Sequence, residues 1–381
     1  AGLAGLTAAN FLHRQNVPFV LYEAGKKIAG LAASFKDAEG FSYDFGAHFI
    51  TNRLAAAIGV SSDCLLVKHY GETVLLNGKT YDYPFGLMQI PRMTLSGAMS
   101  KIKSLKNGHA LPASAAEWFR KSYGRALADE VALPLIEAWS GAPAENLSAA
   151  VGESLPGSIG KTLYLKAAGK VLGRAVAVGY NREMPEKASV HHVYPKNGVS
   201  TLCEKLAEGL EDKIKLESPV EEIIVENETV VAVKAKGETR EVSAVVSTAP
   251  ANILAKLTKG TNRLEKFKDF RYRPMIFVNM RFSGRGLLPD TVLWLPEKQF
   301  PFFRLTEATI SMPWLAPEGK TIITVDIGCQ KDDEFWTIDE ETITELCLKH
   351  LVKIIPDARE RYLGANVLKT PIAYPVFLNE Y

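Results

Sequence analysis

The chain has 381 residues, 47% of them hydrophobic and 23% charged, which is enough for about two cored domains. With 45 Lys and Arg against 43 Asp and Glu, the net charge is only +2, so overall charge gives no pull toward nucleic acid or an anionic membrane. Cys64, Cys203, Cys329 and Cys347 form no CxxC pair, and no apolar run approaches the roughly 18–20 residues of a membrane span. No metal site, disulfide framework or membrane association is expected, and a reducing, cytoplasmic setting is.

In chain order, Leu3, Leu6, Ala9 and Phe11 or Leu12 give a helical stripe, and "VPFVLYEA" then reads as a short strand ending near Glu23. "ETVLLNGKTYDYP" reads as a hairpin, because Asn77-Gly78 suits a type I′ turn. Lys101, Lys103 and Lys106 are read as a solvated loop in preference to a phosphate or lipid patch. Residues 114–139 carry Trp118, Phe119, Tyr123, Leu127 and Val131 at helical spacing, with Pro134 as a kink or break. The block from about 86 to 190 reads as a mostly helical insertion.

In "VYPKNGVSTLCEKLAEGL" a Gly-containing turn leads into a helix, then a short strand, and three strands follow near 219–225, 228–235 and 240–247. "VSAVVSTAP" is apolar enough for a buried strand. "MIFVNMRF", "TVLWLP", "PFFRLT" and "TIITVDIGC" read as strands of a further sheet. The helix after them is expected to start with a capping box of Thr337 and Glu340, with His350 packed at the core edge.

Gly2 and Gly5 have the spacing of the last two glycines of G-x-G-x-x-G, and Glu23 ends the next strand, where an acid can bond a ribose hydroxyl. This pattern points to a dinucleotide turn at a helix N-terminus. The strand and glycine that would precede it are not in the sequence, so the chain is expected to be a fragment.

Glu23-Ala24, Ala29-Gly30, Ser34 and then Asp44, Gly46 and His48 follow in order. Farther on come "SAAEWFRKSYG", "YPKNGVSTLCEKLAEGL", "SPVEEI", "VVSTAP" and "LWLPEKQFPFFRLT". This ordered set resembles the FAD-dependent amine oxidase superfamily, in its protoporphyrinogen-oxidase-like and UDP-galactopyranose-mutase-like branches. The resemblance implies an α/β fold with a discontinuous, Rossmann-like FAD-binding domain of glutathione-reductase type, and an α+β substrate domain carrying the helical insertion. The expected parts are 1–80 and 188–260 for FAD, 81–187 for the helical part of the substrate domain, and 261–381 for its sheet and helix. The family's C-terminal FAD segment is absent, which again suggests truncation.

By the same resemblance, Gly2, Leu3 and Gly5 would approach the FAD pyrophosphate, and Glu23 with Ala24 the adenosine ribose. Gly30, Leu31 and Ser34 would line the pyrophosphate and ribityl chain. Gly46, Ala47 and His48 would lie near the isoalloxazine ring, Val220 at the adenine, and Thr248 and Ala249 beside the adenosine half. Ala29 replaces the first Gly of a Gly-Gly pair, and its methyl either fits or crowds the phosphate. Phe277 falls near the place where amine oxidases of the family often carry a Lys, which disfavours amine oxidation.

No acid–base triad is visible, so catalytic residues are left unassigned. Arg304 is the candidate substrate contact, suited to a carboxylate or phosphate; the alternative is an ion pair with Glu297 or Glu307. Tyr81, Tyr83, Trp294 and Phe303 are either a substrate wall or simply core. The implied function is an FAD-dependent oxidoreductase moving hydride from a carbon donor to flavin. A mutase-like non-redox flavoenzyme acting on a nucleotide sugar is the alternative, and a nucleotide-binding protein without turnover or an NAD enzyme is a more distant one. A small-molecule substrate is the expected partner, with no nucleic acid.

Overall fold

The computed structural model describes residues 1–46, 48–83, 85–106, 111–153, 159–178 and 187–381. The opening helix spans Leu3–Arg14 and buries Gly5, Leu6 and Ala9; of the two residues that could continue its stripe, Leu12 turns inward and Phe11 stays in solvent. It leads to a short strand, Leu21–Tyr22, which pairs in parallel with Ile214–Lys215. The helix Ser200–Ala207 packs beside it, and Leu6, Ala29, Cys203 and Leu206 close a small apolar cluster between them.

A four-stranded sheet holds Val220–Glu226 and Thr229–Ala235. Its outer strand, Glu238–Glu241, is shorter than the 240–247 expectation, and "VSAVVSTAP" is not a buried strand. That run is largely exposed, with Val246 68% accessible. Apolar β-branched residues favour extension but create no ladder without a neighbouring edge, and among the described residues no strand stands beside 242–249.

The largest sheet has seven strands. In spatial order they are Tyr362–Pro375, Tyr272–Ser283, Lys320–Gly328, Arg304–Glu307, Val292–Trp294, Glu72–Leu76 and Lys79–Asp82. All neighbours are antiparallel except Val292–Trp294 with Glu72–Val74. The hairpin at 72–82 turns through Asn77 and Gly78, whose φ values of +52° and +73° fit the expected type I′ geometry. Its sheet differs from the expectation: it was assigned to the first cofactor segment, 1–80, but it extends the sheet built from residues after 261. Local pattern sets a hairpin, whereas its sheet is chosen by the edge it meets, here a strand more than 200 residues away.

Alternation gives this sheet two different faces. Ile276, Val278, Met280, Phe282, Ile323, Val325 and Ile327 point to one side and form the main core with Ile343, Cys347 and Leu351 of the helix Glu340–Leu351. That helix is capped by Asp339, which accepts from Thr342 N at 2.8 Å, and not by Thr337. Thr337 instead ends a separate turn, Glu334–Thr337, and donates to the Glu334 carbonyl. Asp is the better-placed acceptor, one residue before the helix. His350 sits at the core edge beside Phe300 and Phe302.

The opposite face presents Phe277, Asn279, Thr324, Asp326, Arg304 and Thr306. Toward one end it becomes apolar, where Val74, Leu76, Met275, Phe277 and Phe303 meet Leu87, Met93, Leu127, Val131 and Leu135 of the helical block. In that block Lys101 lies within the helix Pro91–Lys106, so the solvated-loop reading of the lysine cluster is corrected. Good helix formers, with no proline after Pro91, let the helix run on. The 114–139 segment is divided at Gly124, and a π-type turn over Ala128–Ala132 delivers the chain to Pro134 at the start of Leu133–Ser140. The wide turn receives a residue that has no N–H to give.

Candidate active site

Two clusters of residues and the polar face of the large sheet build the site. The first cluster is the glycine turn. Gly2 and Ala29 form a parallel bridge, and Ala29 N donates to the Ala1 carbonyl at 2.9 Å. Gly30, at φ +55°, passes so close that a Cβ there would lie 3.5 Å from Gly2 Cα. A Cβ on Gly5 would come within 3.0 Å of Thr248 Oγ1, so Thr248 stands against the start of the first helix. Ala249 follows it, exposed.

Ala29 occupies a backbone conformation of φ +89° that favours glycine. Its methyl is buried in the cluster with Leu6, Cys203 and Leu206. Glu23 accepts from Gly25 N at 2.7 Å, and its second oxygen meets the Ala1 nitrogen. Ser218 N and Glu217 N donate to the carbonyls of Glu23 and Gly25. These bonds bring the strand that starts at Val220 beside Glu23, while Ala24 and Leu31 remain exposed.

The second cluster is centred on Asp44. Ser34 Oγ donates to Asp44 Oδ1 at 2.6 Å and accepts from Ser200 N at 3.1 Å. The Tyr194 hydroxyl donates to the other carboxylate oxygen. Burial first, and the Asp44 charge second, hold the Tyr194 hydroxyl far above its usual range, so it stays a donor. His48 Nδ1 lies 3.4 Å from Asp44 Oδ2. A Cβ on Gly198, at φ +95°, would stand 2.3 Å from Ser34 Oγ, so only glycine lets this turn approach. The Ser34 proton is committed to Asp44, which leaves its remaining lone pair for any outside group.

Gly46 joins this cluster to the sheet. At φ +80°, it lies so near the sheet that a Cβ would sit 2.9 Å from Phe277 Cε1 and 3.3 Å from Arg304 Nη2. Arg304 pairs with neither Glu297 nor Glu307. Its Nε donates at 2.8 Å to Asp326 Oδ2, its Nη2 meets the same oxygen, and its guanidinium lies 5.4 Å from the Trp294 ring centroid. The reason is register: Arg304 and Asp326 are direct cross-strand partners, whereas Glu307 accepts from Gly286 N and Leu288 N, and Glu297 from Asn77 N. Burial opposes the Arg304 charge, but Asp326 and Tyr374 outweigh it and keep the guanidinium more firmly protonated than usual. Trp294 is fixed in turn by Nε1 donating to Glu72 at 2.8 Å. Tyr81, Tyr83, Trp294 and Phe303 all belong to the apolar cluster at this end of the sheet.

Asp326 is fully buried, and its Oδ1 has no partner among the described residues; the same holds for Thr306 Oγ1. Asp44, Gly46, His48, Tyr194, Thr306 and Thr324 line one cavity between the two clusters and the sheet. Ala47 lies outside the described residues. The cysteines offer no nucleophile: burial pushes Cys203 and Cys329 up to about 11 and Cys347 up to about 12.

Sequence reasoning singled out Arg304 but neither Asp326 nor Tyr194. A lone acid inside the apolar strand "TIITVDIGC" was the available signal, since a buried carboxylate requires a partner. Tyr194, in "HHVYPKNG", carried no comparable signal.

Among solved structures, reduced UDP-galactopyranose mutase matches with a TM-score of 0.77 at 18% identity, over 99% of this chain and 83% of that one. A candidate protoporphyrinogen oxidase from Exiguobacterium sp. 255-15 matches at 0.72 and 19%, over 99% and 86%. Cyclohexylamine oxidase from Brevibacterium oxydans IH-35A matches at 0.70 and 15%, over 100% and 87%. At these identities the likeness is one of fold. No curated protein sequence matches the chain. A family profile described as flavin containing amine oxidoreductase matches residues 3–377.

Proposed function

The chain belongs to the flavin containing amine oxidoreductase family, with FAD as cofactor, and from that premise we propose that it is an oxidoreductase taking hydride from a carbon donor. Bound flavin supplies the two-electron acceptor. Gly2, Leu3 and Gly5 bring backbone amides to its pyrophosphate, where the first helix N-terminus favours negative charge. Glu23 and Ala24 flank the ribose, with Val220 and Thr248–Ala249 along the adenosine half. Gly30, Leu31 and Ser34 line the chain toward the ring, and Gly46 and His48 border it. Residues 1–71 and 188–260 form the cofactor part on this reading, with the 72–82 hairpin passed to the substrate sheet.

The observation that carries the reading is the packing of Gly46 against Phe277 and a neutralised Arg304. A flat ring needs a backbone without a side chain, an apolar wall and no uncompensated charge, and this corner has all three. Phe277 has no proton to exchange with a substrate amine, which favours a carbon donor that needs orientation more than acid–base help. Asp326 and Trp294 hold Arg304 in place, so it orients a polar substituent of the substrate rather than moving a proton. Four cysteines free of disulfides suit a reducing compartment such as the cytoplasm.

A mutase-like reading keeps one observation in its favour: Arg304 lies beside Gly46, where a nucleotide-sugar diphosphate could meet it. Asp326 already cancels that charge, which weakens the reading. The test is the visible spectrum of the purified protein reconstituted with FAD, followed under anaerobic conditions. Bleaching of bound-flavin bands by protoporphyrinogen or another carbon donor is the expected result. Bands that survive every donor, bleach with dithionite and then permit nucleotide-sugar turnover would move the assignment to the mutase. Absence of bound flavin after reconstitution would overturn both.

A further inference from the structure

The hairpin that carries Ser34 and Asp44 is short. Ser34–Lys36 pairs with Ser42–Asp44 over three residues only, and a two-stranded ribbon of that length has little stability of its own. Its base is held by the bonds among Ser34, Asp44 and Tyr194. Its far end is held by Arg281, whose Nη1 donates to Asp37 Oδ2 at 3.2 Å and also to Glu39 Oε1. Asp37 accepts in turn through Oδ1 from Glu39 N and Phe41 N, both at 3.0 Å, so the carboxylate that meets Arg281 also shapes the turn. Phe41 is fully buried with Ala316 and Ile322, and the Arg281 guanidinium lies 5.7 Å from its ring centroid. The sheet leaves room for the arginine: at its cross-strand partner Gly364, φ +141°, a Cβ would stand 2.2 Å from Arg281 Nη2.

Arg281 and Phe277 share one face of the strand Tyr272–Ser283, four residues and roughly 13 Å apart. Phe277 meets Gly46 at one end of the segment, and Arg281 meets Asp37 at the other. A chain of rings runs between them: Tyr43 with Phe35 at 5.7 Å, Phe35 with Phe45 at 5.3 Å, and Phe45 with Phe277 at 6.3 Å. We propose that Arg281 is a positioning residue for the cofactor: by clasping the far end of the hairpin to the sheet, it fixes Ser34, Asp44 and Gly46 where the flavin needs them. This rests on the reading of Ser34 and Gly46 as flavin contacts. A fully exposed ion pair would contribute little. Here the Arg281 and Asp37 side chains are only 14% and 15% exposed, and one guanidinium serves two carboxylates.

The experiment is titration of FAD into the flavin-free protein, followed by flavin fluorescence, with urea unfolding of each variant alongside. Arg281→Met should raise the FAD dissociation constant about tenfold. Arg281→Lys, which keeps the charge but not the fork, should recover part of that loss. Asp37→Asn with Glu39→Gln should reproduce the loss, and adding this pair to Arg281→Met should cost nothing further, because both remove the same contact. If Arg281→Met does not fold, the Asp37→Asn/Glu39→Gln variant decides. Phe282→Ala, the next residue of the strand but on the other face, controls for general destabilisation. FAD affinity equal to the parent's in the clasp variants, or an equal loss in Phe282→Ala, overturns the proposal and leaves the site reading intact. A parent protein that binds no FAD overturns the site reading, and this proposal with it.

Discussion

The two faces of the seven-stranded sheet use alternate residues of the same strands, yet they follow opposite rules. On the helix side, Val278, Met280, Ile323 and Val325 are wholly apolar, and each contributes through burial alone, on the order of 1.5–3 kcal/mol for a full side chain. On the opposite face, Asn279, Thr324, Arg304 and Asp326 are nearly as buried but polar, and they are held by the Thr324–Asn279 and Arg304–Asp326 hydrogen bonds. The first face could be repacked with other hydrophobic residues of similar volume. The second is specified by register, because a one-residue slip would part Arg304 from Asp326. Apolar packing and polar pairing are thus divided across one backbone.

The sharpest way to break this comparison is at Asp326. Asp326→Ala should cost about 3–5 kcal/mol, because it leaves the Arg304 charge buried and alone, as read from the urea midpoint. Replacing both partners, Arg304→Met with Asp326→Leu, should return stability to within about 1 kcal/mol of the parent or above it while turnover is lost. Recovery of both would show that the pair is structural only. On the other face, Phe282→Ala should also cost about 3–5 kcal/mol, but with flavin binding and turnover per folded molecule unchanged. A smaller effect of the same kind is expected at Thr324, whose hydroxyl donates to Asn279 Oδ1 at 2.8 Å. Thr324→Val should cost about 1–3 kcal/mol through the unpaired amide oxygen, measured by the same unfolding curves.

Ala29→Gly tests the direction of a single methyl. Relief of a positive φ is worth on the order of 1–2 kcal/mol, and loss of a buried methyl about 0.8 kcal/mol in the other direction. The net shift in stability should stay within about 1 kcal/mol, with FAD affinity changed less than about threefold, as titrated by flavin fluorescence. A large gain in affinity would mean that the methyl faces the phosphate.

The smallest effect lies away from both faces, where His69 Nε2 meets Asp290 Oδ1 at 2.7 Å. That hydrogen bond raises the His69 pKa, against burial. A raised folded value means that the stabilisation is complete below the unfolded pKa of about 6.5 and fades as pH rises through the folded one. At the acid end, burial opposes the ionisation of Asp290 but the His69 bond lowers its pKa, so that contribution goes as pH falls below about 3.8. His69 is more than half exposed, so solvent screening keeps the effect below about 1 kcal/mol. Unfolding midpoints from about pH 5.5 to 8.5, parent minus His69→Gln, measure it.

Much of the architecture was readable because local chemistry dictates it. The Gly2–Gly5 spacing, the strand before Glu23, the Asn77-Gly78 turn and the strands around Phe277 and Val325 each follow from residues close together in sequence. The FAD-binding amine oxidase fold was legible through the family resemblance that the ordered motifs carry. Partner choices were not. Which sheet the 72–82 hairpin joins, which acid meets Arg304, and whether 242–249 finds an edge all depend on residues remote in the chain, and no local pattern encodes them. The Asp44 cluster was half legible: Asp44 and Ser34 stood in a motif, but Tyr194 and Gly198 reach them only after folding.

The parallel pairing of Glu72–Val74 with Val292–Trp294 also bears on how the molecule comes into being. Trp294 and Glu72 are 222 residues apart, so the hairpin's final neighbour is still unmade when the hairpin leaves the ribosome. At about 5–20 residues per second, the wait is on the order of 10–40 s. During that time Val74 and Leu76, both buried in the finished protein, have no sheet to enter. A closure this distant in sequence slows folding and leaves the apolar residues of the 72–82 segment without their partners in the nascent chain.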